Sequence, residues 1–268
     1  MIIPVWMKVI FAIVLFFLGA SVFSFLNVVI FRVPRGEEFV KTRSHCPGCG
    51  RVLTPLDLVP VLSYLCLGGK CRTCGSKIGV RDVLIEISGG CMCIIAFFRS
   101  FMEPVGSIAE KVTGDFYARL LAGLFVFLFL CVMTVIHYIC YDTAKIPNGT
   151  LIAATIIGIC GIFVTSGETW MSRCIGCLGI AIPFVIFAVI TKEKEHYALA
   201  LLLGLSGCML GKERILVLAA VTILTGAIIF IVRKLLGKKG KFHLMTAVYP
   251  AMIIVFLLGD LLLEYFVL

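Results

Sequence analysis

The sequence predicts an all-α polytopic membrane protein with a small cytoplasmic zinc-binding insertion between its first two helices. Of its 268 residues, 61% are hydrophobic and only 15% are charged, and the mean hydropathy is +1.12. A water-soluble globule of this length has too little interior to bury so much apolar surface. Two Cys-x-x-Cys pairs fall in the one long polar stretch of the chain. These observations exclude a soluble protein and predict a membrane bundle that carries one polar module.

The predicted membrane bundle has about eight transmembrane helices, because eight apolar runs approach or exceed the length that crosses a bilayer core of about 30 Å. They lie near residues 9–31, 83–102, 117–139, 149–166, 171–191, 197–211, 215–232 and 245–267. The first run lacks a basic segment before it and a small-residue cleavage site after it, so we expect a retained helix. The predicted domains are a first transmembrane helix (1–31), a zinc-binding loop domain (32–82) and a seven-helix membrane domain (83–268).

The orientation in the membrane is predicted from the basic residues. They concentrate in the loop between spans one and two (Arg32, Arg35, Lys41, Arg43, Arg51, Lys70, Arg72, Lys77 and Arg81) and in the loop between spans seven and eight (Arg233, Lys234, Lys238, Lys239 and Lys241). Loops rich in lysine and arginine stay in the cytoplasm, so eight spans place both termini outside. The net charge of +9 then reflects topology and attraction to the lipid bilayer, and no nucleic-acid partner is predicted.

The polar module is predicted to hold a structural zinc ion. Its candidate ligands are Cys46, Cys49, Cys71 and Cys74, two pairs with the spacing that lets four thiolates surround a tetrahedral ion. Two disulfides are the alternative. A cytoplasmic loop favours the metal, because a reducing compartment keeps thiols free.

Four blocks of the N-terminal region resemble one family of bacterial membrane enzymes. The blocks are residues 24–37 (SFLNVVIFRVPRGE), 45–50 (HCPGCG), 57–65 (DLVPVLSYL) and 69–75 (GKCRTCG). They are similar to the N-terminal region of bacterial type IV prepilin peptidases. The resemblance implies an intramembrane aspartic protease that removes the positively charged leader from prepilin or pseudopilin precursors at the cytoplasmic face of the inner membrane. Many family members also methylate the new N-terminus with S-adenosylmethionine.

The two catalytic aspartates that the resemblance implies are absent from their expected positions. The first lies eight residues before the end of an Ile/Leu-Pro-Asp/Asn motif, which here is 146–148 (IPN), so the position is Cys140. The second ends a Gly-x-Gly-Asp motif before the sixth span, and the following apolar helix places His196 there. We therefore expect residues 140 and 196 to face each other at the cytoplasmic ends of their helices.

Three interpretations of these substitutions remain open. The protein could be a catalytically dead family member that binds substrate or serves as a scaffold of a pilus, secretion or competence assembly. The acids could have moved to Asp142 and Glu195, although a regular helix would point Asp142 about 200° away from Cys140. Cys140 and His196 could instead form a thiol-imidazole dyad. A metal site made from His137, Cys140 and His196 is a further alternative.

Overall fold

The structure is a computed structural model that describes residues 4–40, 43–102, 115–164, 169–192, 194–235 and 244–267. Within these ranges the regular structure is helical, apart from two isolated β-bridges. The α-helices are α1 (Val5–Arg32), α2 (Leu62–Cys66), α3 (Val80–Met102), α4 (Asp115–Thr143), α5 (Asn148–Val164), α6 (Trp170–Thr191), α7 (Lys194–Leu235) and α8 (Met245–Val267). The predicted all-α fold class is confirmed.

Each predicted span coincides with a helix, and α7 contains two of them. Gly211 has φ 76° and ψ 179°, so it interrupts helical geometry between the predicted spans 197–211 and 215–232. Glycine tolerates this positive φ because it has no Cβ. Among the described residues, four helical segments are long and apolar enough to cross a membrane, namely Val5–Arg35, Phe116–Thr143, Trp170–Thr191 and Glu195–Leu235. The total number of spans stays a prediction.

The chain divides into two compact units, Met1–Ile95 and Ala96–Leu268. In the first unit α1 packs closely on α3, since a Cβ on Gly19 would collide with the carbonyl oxygen of Gly89. The polar loop docks on this helix pair through Val61, which joins Ala20 of α1 and Val83 of α3 in one buried cluster. This contact fixes the cysteine-containing loop to the middle of α1 and the first turn of α3.

The second unit is a helical bundle whose core is built largely on α4. Phe129, Met133 and Ile136 are fully buried, at the spacing that places side chains on one helix face. Phe129 meets Phe256 of α8 with ring centroids 5.7 Å apart. The outer surface is apolar, as the strongly exposed Ile190 and Ile223 illustrate. Apolar surface on this scale is expected where helices face lipid.

Candidate functional site

The two cysteine pairs form two turns of the same construction. In the first turn, the N–H of Gly50 donates to the carbonyl oxygen of Cys46 over 2.8 Å. In the second, the N–H of Gly75 donates to the carbonyl oxygen of Cys71 over 3.0 Å. Both glycines have φ near 70°, in the left-handed region that side chains disfavour. The sequence pattern Cys-x-x-Cys-Gly is therefore explained by the backbone geometry of each turn.

The four sulfur atoms of Cys46, Cys49, Cys71 and Cys74 converge within 4.8 Å of one another. The Sγ atoms of Cys46 and Cys74, one from each turn, lie 3.8 Å apart. Two sulfurs that bind one tetrahedral zinc ion at about 2.3 Å are separated by about 3.8 Å, so this spacing fits the metal. The predicted ligands come together as a four-thiol cluster that could hold zinc.

Ser76 shapes the electrostatics of this cluster and was missed by the sequence analysis. Its hydroxyl oxygen lies 3.3 Å from Cys46 Sγ and 3.1 Å from Cys74 Sγ. Hydrogen bonding from Ser76, and then from the N–H groups of Gly48 and Cys49, lowers the pKa of Cys46 to about 6. The same serine lowers the pKa of Cys74. Hydrogen bonding therefore favours the ionised form of these two thiols, which is the form that binds a metal.

Cys49 behaves differently from Cys46. The backbone N–H of Arg51 favours its thiolate, but burial and the neighbouring Cys74 and Cys46 outweigh this contact and raise the pKa of Cys49 to about 11. The thiols cannot all ionise cheaply together, because each thiolate repels the others. A divalent cation at the centre would remove this repulsion.

The loop between the turns contains a buried carboxylate, Asp57. It accepts hydrogen bonds from the Thr54 N–H at 3.0 Å and the Thr54 hydroxyl at 2.8 Å, and from the Arg51 guanidinium at 2.8 Å. These contacts, with the Thr54 bonds the largest, lower the pKa of Asp57 to about 2. Asp57 is therefore ionised at neutral pH.

A cavity of about 280 Å³ lies beside the cysteine cluster in the first unit. Its lining combines Cys46 and Asp57 of the loop with the carboxylates of Asp82 and Glu86 on α3. Glu86 also accepts a hydrogen bond of 2.9 Å from the N–H of Val61, whose φ of 63° is unusual for a β-branched residue. Glu86 thus holds a strained loop segment against α3.

The candidate catalytic residues of the second unit lie at the end of α4 and the start of α7. Cys140 is only 2% exposed, whereas Asp142 is exposed. Both lie within α4, which continues to Thr143, so no distortion brings Asp142 onto the Cys140 face. Glu195 is half-buried and interacts electrostatically with Cys140. The structure thus brings residue 195 near position 140.

The two histidines of this region engage neighbouring side chains. Nδ1 of His196 lies 2.6 Å from the Thr191 hydroxyl. The ring of His137 stacks on Tyr249 with centroids 4.2 Å apart. The four-cysteine cluster is the one group of potential metal ligands found among the described residues, so His137, Cys140 and His196 are not gathered into a second site. The predicted approach of Cys140 and His196 stays a prediction.

The helices and the thiol cluster together define a multi-pass membrane protein with a candidate metal-binding module. Residues 17–100 match the family model described as the bacterial peptidase A24 N-terminal domain. The chain is 26% identical to the prepilin leader peptidase/N-methyltransferase of Bacillus subtilis over 260 residues, which cover 95% of this chain and 97% of the relative. The chain is therefore similar along almost its whole length to a prepilin leader peptidase/N-methyltransferase, and residues 17–100 match the N-terminal domain that the sequence motifs predict.

Two further relatives carry the same name. The Pseudomonas aeruginosa protein is 27% identical over 240 residues, which cover 80% of this chain and 78% of the relative. The Myxococcus xanthus protein is 47% identical over 98 residues, but these cover only 37% of this chain and 29% of the relative. No solved structure matches the chain.

Proposed function

We propose that this protein is a prepilin leader peptidase, which cleaves the leader of type IV pilin-like precursors at the cytoplasmic face of the bacterial inner membrane. The observation that carries the proposal is the end-to-end similarity to the Bacillus subtilis relative, because it extends through both units and not only the cysteine module. Prepilin or pseudopilin precursors are the proposed substrates. The proposed orientation of the protein in the membrane is the one that its lysine- and arginine-rich loops predict, with the cysteine module in the cytoplasm and both termini outside.

We assign the chemistry to the carboxylates of Asp142 and Glu195. Hydrolysis of this class needs one carboxylate that takes a proton from water and a second that protonates the departing amine. Asp142 is accessible, and Glu195 adjoins the position where the family pattern places an acid. The assignment requires the end of α4 to rearrange when substrate binds, because Asp142 lies off the Cys140 face that Glu195 approaches. The 2% exposure of Cys140 argues against a thiol that must reach a peptide bond. His196 occupies the second expected position, where its ring contacts the Thr191 hydroxyl.

Two cofactors belong to the proposal. Zinc would be held by Cys46, Cys49, Cys71 and Cys74 and would stabilise the fold of the loop domain, as structural zinc does in small modules. S-adenosylmethionine would supply the methyl group for methylation of the new N-terminus.

The test is incubation of the purified protein in lipid with a matching prepilin, followed by mass spectrometry of the pilin. We expect leader cleavage that Asp142→Asn and Glu195→Gln each abolish. The matched control is Glu213→Gln, which removes an exposed carboxylate 18 residues further along α7, beyond the interruption at Gly211. Loss of cleavage in Cys140→Ser with a harmless Asp142→Asn would favour the thiol mechanism instead.

The same assay separates an enzyme from a dead family member. If the parent is inactive and only the double variant Cys140→Asp, His196→Asp cleaves the precursor, the protein is a pseudoenzyme whose site keeps the family geometry. Precursor that co-purifies uncleaved with the inactive parent would then indicate a substrate-binding or scaffold role in a pilus or secretion assembly.

A further inference from the structure

We infer that Asp57 is a positioning residue of the cysteine module, whose buried carboxylate ties the two cysteine turns together through Arg51 and Arg72 and holds the four sulfurs in place before a metal binds. The inference rests on the zinc site proposed above. It goes beyond that site by assigning the assembly of the cluster to residues that do not bind the metal.

Asp57 is well placed for this task because it is almost inaccessible and firmly held. Its side chain is only 3% exposed. It sits in a short 3-10 helix, Pro55–Leu58, and forms a capping box with Thr54. In a capping box the two residues satisfy each other's hydrogen bonds, so the carboxylate has little freedom to move.

Each of the two arginines belongs to a different cysteine turn. The carbonyl oxygen of Arg51 accepts the N–H of Cys46 at 2.9 Å, which closes the first turn. The Arg51 guanidinium reaches Oδ2 of Asp57 at 2.8 Å. Arg72 lies inside the second turn, between Cys71 and Cys74, and its Nε lies 3.3 Å from Oδ1 of Asp57. The carboxylate therefore contacts both turns, through a hydrogen bond from Arg51 to Oδ2 and an ion pair of Arg72 with Oδ1.

The link extends to a ligand of the opposite turn. The Arg51 side chain, which Asp57 holds, also lies close enough to the Cys71 sulfur to interact with it by charge. A cation beside this sulfur reduces the repulsion among sulfurs that lie within 4.8 Å of one another. The module thus contains a second connection between its turns that does not pass through the metal.

Positioning and simple electrostatics predict effects of different size for Asp57→Asn. Zinc adds two positive charges while thiol protons are released, so the net charge of the module changes little, and removal of one nearby negative charge would by itself have little effect on zinc binding. Loss of the link between the turns would weaken it, because the metal would then have to gather sulfurs that are no longer prearranged. Loss of residues that orient metal ligands typically costs about 10- to 100-fold in affinity.

The experiment is a zinc competition with a chromophoric chelator on the full-length protein in detergent, for the parent and Asp57→Asn. The matched control is Glu37→Gln, which makes the same charge change at an exposed carboxylate of the same loop. We expect about 10- to 100-fold weaker zinc binding in Asp57→Asn, an unchanged stoichiometry at saturation, and an unchanged affinity in Glu37→Gln. Equal or tighter binding by Asp57→Asn overturns the inference.

Two additional measurements keep the test decisive. The Arg72 side chain is 54% exposed, so its replacement leaves the buried part of the module intact. Arg72→Gln should weaken zinc binding, as Asp57→Asn does. Its effect should not add to that of Asp57→Asn, since both break one link. In metal-free protein, iodoacetamide should alkylate the four cysteines faster in Asp57→Asn than in the parent. If the parent binds no zinc, the zinc proposal fails, but the positioning role can still be tested by alkylation. Equal alkylation rates in the parent and Asp57→Asn would overturn that role.

Discussion

Replacement of Cys71 by serine should strongly weaken zinc binding by the loop domain. Cys71 is 9% exposed and contributes one of the four converging sulfurs, from the second turn. A serine hydroxyl does not ionise at neutral pH and is a harder, weaker ligand for zinc than a thiolate. The substitution changes one atom of the side chain, so the turn itself, closed by the N–H of Gly75, should survive.

The expected loss can be worked from the geometry of the cluster. Structural zinc sites contribute an apparent binding free energy of about 10–16 kcal/mol. Shared among four equivalent sulfurs, this is about 2.5–4 kcal/mol for each. Since about 1.4 kcal/mol corresponds to a tenfold change, Cys71→Ser should weaken zinc binding by roughly two to three orders of magnitude.

The assay combines metal analysis with limited proteolysis. The parent, purified without chelator, should carry one zinc per chain and resist cleavage within residues 32–82. Cys71→Ser should lose zinc to a moderate chelator and be cut in this loop. Cys66→Ser is the matched control, because Cys66 is an exposed thiol of the same unit that lies outside the cluster.

Two results would refute this reasoning. One is less than about half an equivalent of zinc in the parent, which would show that the four sulfurs do not hold a structural zinc ion. The other is full zinc occupancy in a Cys46→Ser, Cys71→Ser double variant, because two remaining sulfurs cannot complete the tetrahedral site.

Three further predictions concern pH, backbone conformation and topology. Zinc affinity should fall as pH drops from 8 to 6, because Cys49, with a pKa of about 11, must release a proton to bind the metal. Zinc affinities from chelator titrations that do not change with pH would contradict this prediction. Gly75→Ala should weaken zinc binding about 5- to 30-fold. A Cβ at this position would meet no atom within 4 Å, so the expected loss is the cost of holding alanine at φ 69°, about 1–2 kcal/mol. An unchanged zinc affinity would show that the turn is not constrained. A reporter that is active only in the cytoplasm should work when fused near residue 60 and fail near residue 108, which lies outside the described residues, and the opposite pattern would reverse the proposed orientation.

Local sequence patterns were sufficient to predict the membrane character of the chain and its cysteine cluster. The membrane character follows from composition, because an apolar run needs only length and hydropathy to be recognised. The cysteine cluster was predictable because each turn is a short motif, and the glycine that follows each cysteine pair indicates a backbone conformation with positive φ. The proposed catalytic region was harder to predict, since its residues come from α4 and α7, far apart in sequence, and neither helix shows in its own pattern that Glu195 lies near Cys140.

The sequence by itself determined that the chain is a helical membrane protein with two thiol pairs suited to zinc, since composition and short spacing act locally. Only the tertiary structure decided that Asp57 joins Arg51 to Arg72, that Ser76 contacts sulfurs of both turns, and that Cys140 is buried while Asp142 is exposed. These facts depend on which side chains meet after the chain folds back on itself. Contacts of this kind arise from packing between distant segments, and no periodicity within one segment encodes them.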